Sequence, residues 1–147
     1  MKAVLQRVVN ASVMVEGDVT GKISKGLLIY LGVESDDGEK DLLYIARKIA
    51  NMRIFTDDDG KMNKSVKQIE GSILLISQFT LCADTKKGNR PSFNSAMEPK
   101  TAERIYLEMQ QQLVREYGIP VEMGVFGAHM DVTYTNDGPV TIIIDSP

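Results

Sequence analysis

One short segment combines residue types that could do chemistry with a position at the end of a predicted strand. After a strongly apolar run come Ser77-Gln78-Phe79-Thr80-Leu81, which supply two hydroxyls, an amide and an aromatic ring. Exposed backbone N–H groups at a strand end could stabilise an oxyanion, and the Phe79 ring could stack against a base. Phe79 and Thr80 are also good strand formers. The segment is therefore a candidate site, with an ordinary strand as the alternative.

A second candidate is the dipeptide Gly138-Pro139, which interrupts a strand-like pattern near the C-terminal end. Glycine tolerates backbone angles closed to other residues, and proline is the only residue before which a cis peptide bond is cheap. Such a pair could point two main-chain carbonyls in a direction that an ordinary hairpin turn does not allow. The alternative is a plain turn, because the preceding Asn136 and Asp137 are also turn formers.

The counts of histidine and cysteine restrict the catalytic chemistry. His129 is the only histidine, so a serine or threonine triad would have to bring it to Ser77 or Thr80. Cys82 is the only cysteine, which rules out an intrachain disulfide and a cysteine-based zinc cluster. We expect no metal and no cofactor, and a reducing, cytoplasmic setting.

Composition predicts one soluble domain of 147 residues. Charged residues make up 25% and hydrophobic residues 43%, and no segment has the length of a membrane span. The net charge of −3 means that any contact with nucleic acid must be local. Two local basic stretches could make it, although both also fit solvated loops: Lys61, Lys64 and Lys67, and Lys86, Lys87 and Arg90.

The periodicity of apolar residues predicts an α+β fold in a single compact domain, with a mostly antiparallel, barrel-like sheet and two main helices. The first helix carries Leu42, Ile45, Ala46 and Ile49 and should begin at Ser35, Asp36 or Asp37. The second follows Glu98-Pro99. The predicted strands are an opening hairpin (2–15 and 19–24), 26–33, 53–56 and 72–81, and three closing strands (121–126, 129–135 and 140–145).

The two candidate segments together resemble the two signature motifs of the D-aminoacyl-tRNA deacylases, also called D-Tyr-tRNA deacylases. The second motif is read here as Asn136-Asp137-Gly138-Pro139-Val140-Thr141. The resemblance extends to other segments and spans essentially the whole chain, residues 1–147: the opening 1–8, residues 53–55 and 60–65, Arg90-Pro91-Ser92-Phe93, and residues 124–130.

The resemblance implies hydrolysis of the ester bond of D-aminoacyl-tRNA, and of mischarged glycyl-tRNA, as chiral proofreading in translation. It further implies a homodimer with active sites at the interface, in which each subunit inserts a cis Gly138-Pro139 peptide into its partner's site to reject L-amino acids. Ser77, Gln78, Phe79 and Thr80 would form the catalytic segment, and the 2′-hydroxyl of the substrate would help to activate water.

The resemblance also implies a pocket for the terminal adenine of the tRNA 3′ end. Ala102 and Met130 would pack on the base and Phe126 would wall the site, while core packing remains the alternative for Ala102. Phosphate contacts would come from Lys86, Lys87 and Arg90.

Two other functions remain compatible with the residues. One is an esterase that uses Thr80 or Ser77 as nucleophile and His129 as base. The other is a non-catalytic nucleic-acid-binding dimer in which Gly138-Pro139 is only a turn.

Overall fold

The computed structural model describes residues 1–147, and its main sheet is organised around one long N-terminal strand, β1 (Lys2–Val15). The first half of β1 alternates inward and outward side chains, with Ala3, Leu5 and Arg7 buried. On one edge, β1 pairs along nearly its whole length with the C-terminal strand β8 (Asp131–Asp145). On the other edge, it pairs with two successive strands that follow it in the chain.

The main sheet also contains β2 (Asp18–Ile23), β3 (Gly26–Gly32), β6 (Ser72–Ser77) and β7 (Val121–Met123). Its order is β2-β1-β3-β6-β7, with β8 on the second edge of β1. All three strands that pair with β1 run antiparallel to it, whereas β6 is parallel to both β3 and β7. Because β2 also packs against β6 and β7, the sheet curls into a nearly closed barrel. The α+β, barrel-like prediction is confirmed. Two short strands outside this sheet, β4 (Phe55–Thr56) and β5 (Met62–Lys64), pair with each other.

Two apolar clusters form on opposite faces of this sheet. The larger contains 24 buried residues and lies under the two helices, where Ile29 and Leu75 of the central strands meet Ile45 and Met109. The smaller contains seven buried residues inside the curl, among them Leu74 of β6. The central strands β3 and β6 are buried on both faces, which explains their continuous apolar sequences.

Both predicted helices are present: α1 spans Glu39–Asn51 and α2 spans Pro99–Arg115. Helix α1 begins later than expected, because Gly38 is the N-cap residue and its N–H donates to the Asp41 carboxylate at 2.9 Å. Helix α2 begins at Pro99 as predicted, and the Glu98 carboxylate caps it. No helix of the protein is both long and apolar enough to cross a membrane.

The prediction of three closing strands is wrong, because the strands predicted at 129–135 and 140–145 are parts of a single strand, β8, which begins at Asp131. Gly138-Pro139 does not turn the chain back on itself. Val8 pairs with Asn136 and Gln6 pairs with Thr141, so residues 137–140 stand opposite Arg7 alone. The surplus residues bulge out of the ladder while the strand continues on both sides in the same direction.

The predicted strand 72–81 is too long at its C-terminal end. β6 ends at Ser77, and a 3₁₀ turn, Phe79–Cys82, follows directly. The turn moves the hydroxyl and aromatic side chains off the sheet and ends with the buried Cys82, whose thiol donates to the Val33 carbonyl at 3.5 Å. The strands predicted at 53–56 and 121–126 are likewise shorter, as β4 and β7.

The N-cap of α2 gives a stability prediction with a defined pH dependence. The Glu98 carboxylate accepts from the N–H groups of Lys100 (2.9 Å) and Thr101 (3.0 Å), which lowers its pKa below the ordinary 4.5. This stabilisation is present above the ordinary pKa and is lost as pH falls through the lowered folded-state pKa. Glu98→Ala should therefore lower Tm at pH 7, and the difference from the unmodified protein should shrink below pH 4.5.

The matched control is Glu103→Ala, which removes an exposed carboxylate from the same helix. Thermal unfolding followed by circular dichroism at a series of pH values measures both variants. Equal Tm losses for the two variants at pH 7 would contradict the capping role of Glu98.

Candidate active site

An open cavity of about 660 Å³ lies where the parallel strands β3 and β6 end. Its walls come from the ends of these strands, the segment preceding α2, the first turns of α2 and the segment that joins β7 to β8. Hydrophobic residues supply 14 of its 20 lining residues, so the cavity suits the apolar faces of a ligand. Seven residues proposed from the sequence line it: Ser77, Gln78, Phe79, Ala102, Phe126, His129 and Met130.

One set of polar groups at the cavity comes from the segment that follows β6. The Gln78 N–H donates to the Leu31 carbonyl at 2.8 Å, which fixes this segment against the end of β3. The Gln78 side-chain amide donates to the Thr80 hydroxyl. The first bond of the 3₁₀ turn runs from the Leu81 N–H to the Gln78 carbonyl, so the N–H groups of Phe79 and Thr80 have no partner within the turn. These two donors stand at the start of the 3₁₀ turn, beside the cavity.

Two aromatic pairs form much of the wall. Phe79 is 59% exposed, and its ring meets the edge of Phe93 with the ring centroids 5.1 Å apart. Tyr106 packs against Phe126 with the centroids 5.9 Å apart. The buried Tyr106 hydroxyl donates to the Leu75 carbonyl at 2.7 Å, and burial raises the pKa of this phenol. Tyr106 is therefore a fixed, neutral part of the wall.

Ala102 belongs to the cavity wall and to the apolar core at the same time. It is 8% exposed and lies on the inner face of the first turn of α2, where it forms part of the larger cluster. Phe126 and Met130 are half-buried and come from the segment between β7 and β8. These three residues and Ile76 all line the cavity and supply apolar surface against which a planar ring could pack.

His129 lines the cavity, but its side chain is 92% exposed. Its nearest charged neighbour is Asp131, 3.6 Å from Nε2, and it makes no hydrogen bond to Ser77 or Thr80. The structure thus contains no hydroxyl–imidazole pair. No group of three or more His, Cys, Asp or Glu side chains is arranged to hold a metal ion.

Gly138 and Pro139 are exposed and do not line this cavity. Their peptide bond is cis. The bulge that carries them is held from below by Arg7, which is only 9% exposed. Its guanidinium donates to the Ile54 carbonyl at 2.7 Å and to the Asp137 carbonyl at 3.3 Å, and it forms an ion pair with the Asp137 carboxylate at 3.0 Å.

Asn136 adds a second restraint on this bulge. Its side-chain amide donates to the Arg7 carbonyl at 3.0 Å and to the Val140 carbonyl at 3.1 Å. These bonds tie together the two ends of the bulge and the facing residue of β1. The Gly138-Pro139 peptide is therefore presented to the outside on a braced support.

Lys86, Lys87 and Arg90, the basic loop, lie between two residues that form a short antiparallel bridge, Asp84 and Ser92. All three cations are exposed, and none forms an ion pair within the protein. The basic loop does not line the cavity, although Phe93 just after it does. Its charges are free to meet an anionic ligand that extends beyond the cavity.

Sequence reasoning missed Arg7, Tyr30 and Phe93 as parts of these two regions. A signal existed for Arg7, because the alternation of β1 places it on the same inward phase as Ala3 and Leu5. A charged side chain on the buried side of a strand needs hydrogen-bond or ion-pair partners. Phe93 lies in a segment of the resemblance, but nothing in the sequence marked its side chain as part of the cavity wall, and no signal marked Tyr30.

Comparisons with known proteins agree over the full length. A family model described as D-Tyr-tRNA(Tyr) deacylase matches residues 4–145. A D-aminoacyl-tRNA deacylase of Magnetococcus marinus is 56% identical over 147 residues, which cover 100% of this chain and 97% of the relative.

Two solved structures have the same fold. One, titled "c-Myc DNA Unwinding Element Binding Protein", is 44% identical with a TM-score of 0.95, and the match covers 100% of this chain and 99% of the other. The second is a probable eukaryotic D-amino acid tRNA deacylase with a TM-score of 0.83. It is 17% identical, the match covers 97% of both chains, and this similarity supports the fold alone.

The full-length family match, the high identity to a curated deacylase and the shared fold lead to one assignment. The chain belongs to the D-Tyr-tRNA(Tyr) deacylase family and is a hydrolase.

Proposed function

We propose that this protein hydrolyses the ester bond between a D-amino acid and the terminal ribose of tRNA, and that it works as a homodimer. The observation that carries the proposal is the separation of two parts. The cavity with its N–H donors lies at the ends of β3 and β6, whereas the exposed, braced Gly138-Pro139 peptide lies outside it. A second subunit would bring the two parts together.

The chemical step requires water to attack the ester carbonyl, whose oxygen becomes an oxyanion. We assign the stabilisation of that oxyanion to the N–H groups of Phe79 and Thr80. Ser77 and Gln78 would anchor the α-amino group or the terminal adenosine. The Glu98 carboxylate in the cavity wall is engaged in capping α2, and the His129 side chain is 92% exposed beside Asp131. We therefore assign the activation of water to the adjacent 2′-hydroxyl of the substrate.

Chiral selection would come from the Gly138-Pro139 peptide of the partner subunit. Its carbonyl oxygens would face the α-carbon of the substrate, where they leave room for a hydrogen and exclude the side chain of an L-residue. Discrimination would then rest on steric exclusion of the L-amino acid rather than on tighter binding of the D-amino acid. Glycine has no side chain, so glycyl-tRNA should also be a substrate.

The exposed edge of β8 supports the dimer part of the proposal. This strand of 15 residues pairs only with β1, which leaves the main-chain groups of its other edge without a strand partner. Ile143 on β8 is 70% exposed, and Phe79 beside the cavity is 59% exposed. Apolar side chains and an open edge on one molecule are features of a surface that a second copy covers.

Apolar residues deeper in the cavity would receive the terminal adenine. Ala102 and Met130 would pack against the faces of the base, and Phe126 would close the side, because all three line the apolar part of the cavity. The enzyme would act where charged tRNA is present, and we therefore place it in the cytoplasm.

A hydroxyl-nucleophile esterase is the competing mechanism, and two substitutions separate the mechanisms. We expect His129→Ala and Thr80→Ala to keep kcat within about tenfold of wild type, because the imidazole touches neither hydroxyl and the Thr80 N–H remains. Loss of a nucleophile or its base would lower kcat by about 10⁴-fold or more. Release of amino acid from D-Tyr-tRNA measures both variants, and a 10⁴-fold loss in each would overturn the RNA-assisted mechanism.

Gly138→Ala tests the chiral filter. Gly138 has φ +122, and an added Cβ would lie 2.9 Å from Val140 Cγ2 and 3.2 Å from Arg7 Nη2, so the bulge must shift. We expect the ratio of kcat/KM for D-Tyr-tRNA over L-Tyr-tRNA to fall by about tenfold or more, because small displacements of a positioned group have large effects.

The matched control for this variant is Gly118→Ala, at another positive-φ glycine (+66) with open space around it. An unchanged D/L ratio in Gly138→Ala would contradict the chiral-filter role of the Gly138-Pro139 peptide. A wild-type protein that binds tRNA but releases no amino acid would favour the alternative of a non-catalytic nucleic-acid-binding dimer. The 44% identical structure is named for DNA binding, a property stated of that protein.

The basic loop should contribute affinity for tRNA through phosphate contacts. Replacing its three cations by glutamine should raise KM and reduce the slope of log KM against log salt concentration by about 0.7 for each phosphate that the loop neutralises. A control that changes the net charge equally, Lys22→Gln/Lys25→Gln/Lys40→Gln, should leave the slope as it is. Equal slopes in both triple variants would show that the basic loop makes no phosphate contact.

A further inference from the structure

Met130 lies directly over the backbone of Gly124. A Cβ added to Gly124 would overlap the Met130 sulfur and would also come within 3.1 Å of Ile76 Cδ1. The backbone of Gly124 does not have the positive φ that favours glycine. Space for the Met130 side chain, rather than backbone conformation, is therefore what requires glycine at this position.

Gly124 cannot retreat from an added methyl group without breaking hydrogen bonds. It follows directly on β7, which pairs with β6, and its N–H donates to the Leu75 carbonyl at 3.2 Å. The same carbonyl accepts from the buried Tyr106 hydroxyl at 2.7 Å. These hydrogen bonds hold the backbone of Gly124 against β6, so the flexible Met130 side chain is the group that must move.

The open volume beside Met130 is the cavity, because Met130 and Ile76 both line it. We propose that Gly124 is a positioning residue: its missing side chain lets Met130 lie back against the backbone and keeps the adenine part of the cavity open. Any side chain at position 124 would push the Met130 thioether into the space where the base packs. This inference rests on the adenine subsite assigned under the proposed function.

The test is a double-mutant cycle between the two positions, with D-Tyr-tRNA as substrate. We expect Gly124→Ala to raise KM about tenfold while kcat stays within about threefold, because the obstruction affects binding of the terminal base. In a Met130→Ala background the overlap with sulfur is removed, and the one remaining close atom is Ile76 Cδ1 at 3.1 Å, the end of a flexible side chain. There we expect Gly124→Ala to change KM by less than about twofold.

The matched control is Gly38→Ala, which adds the same methyl group at a glycine with open space and with φ −138. Equal KM factors for Gly124→Ala in the two backgrounds, or an unchanged KM in a folded single variant, would overturn the inference. If Gly124→Ala alone fails to fold, the double variant decides. A folded double variant with the KM of Met130→Ala supports the inference, and one that also fails to fold contradicts it.

A measurement without substrate separates this inference from the proposed function. With ¹³C-methyl methionine labelling, the Met130 resonance is assigned by its loss in Met130→Ala. We expect this resonance to move in Gly124→Ala and to stay in place in Gly38→Ala. An unmoved resonance overturns the positioning role, whereas a wild-type protein inactive on D-Tyr-tRNA contradicts the proposed function instead.

Discussion

The pairing of β1 along both of its edges is the constraint on which the rest of the structure depends. A strand of 14 residues inside a sheet must have its backbone N–H and C=O groups paired. On one edge β1 pairs with β8, and on the other edge its first half pairs with β3 and its second half with β2. β3 then offers its free edge to β6. The ends of these two parallel strands make the cavity.

The same pairing explains how one charged side chain supports an exposed loop. Arg7 points to the buried side of β1, and a buried guanidinium is costly unless its donors are used. Its partners are the Ile54 carbonyl and the backbone and carboxylate of Asp137. Because residues 137–140 stand opposite Arg7 alone, satisfying this charge also braces the Gly138-Pro139 bulge. Core stability and the presentation of the bulge therefore depend on the same contacts.

Much of the fold could be predicted because it follows from local periodicity. The apolar repeat of Leu42, Ile45 and Ile49 and the Glu98-Pro99 start identified both helices, and the apolar run in β3 indicated a strand buried on both faces. The strand ends were less accurate. β6 stops at Ser77 although Phe79 and Thr80 favour strands, because a 3₁₀ turn places Cys82 in the interior. Local propensity does not register that tertiary preference.

By itself the sequence determined the residue types of the site and the chemistry they exclude: a single histidine, a single cysteine, and two motifs whose order matches the family. The tertiary structure decided their placement. It gathered Ser77, Phe126 and Met130 around one cavity and left Gly138 outside it on a bulge. The physical reason is that strand pairing and side-chain packing act between residues far apart in the chain. Register, cavity shape and the room that Gly124 leaves for Met130 do not exist until those distant segments meet.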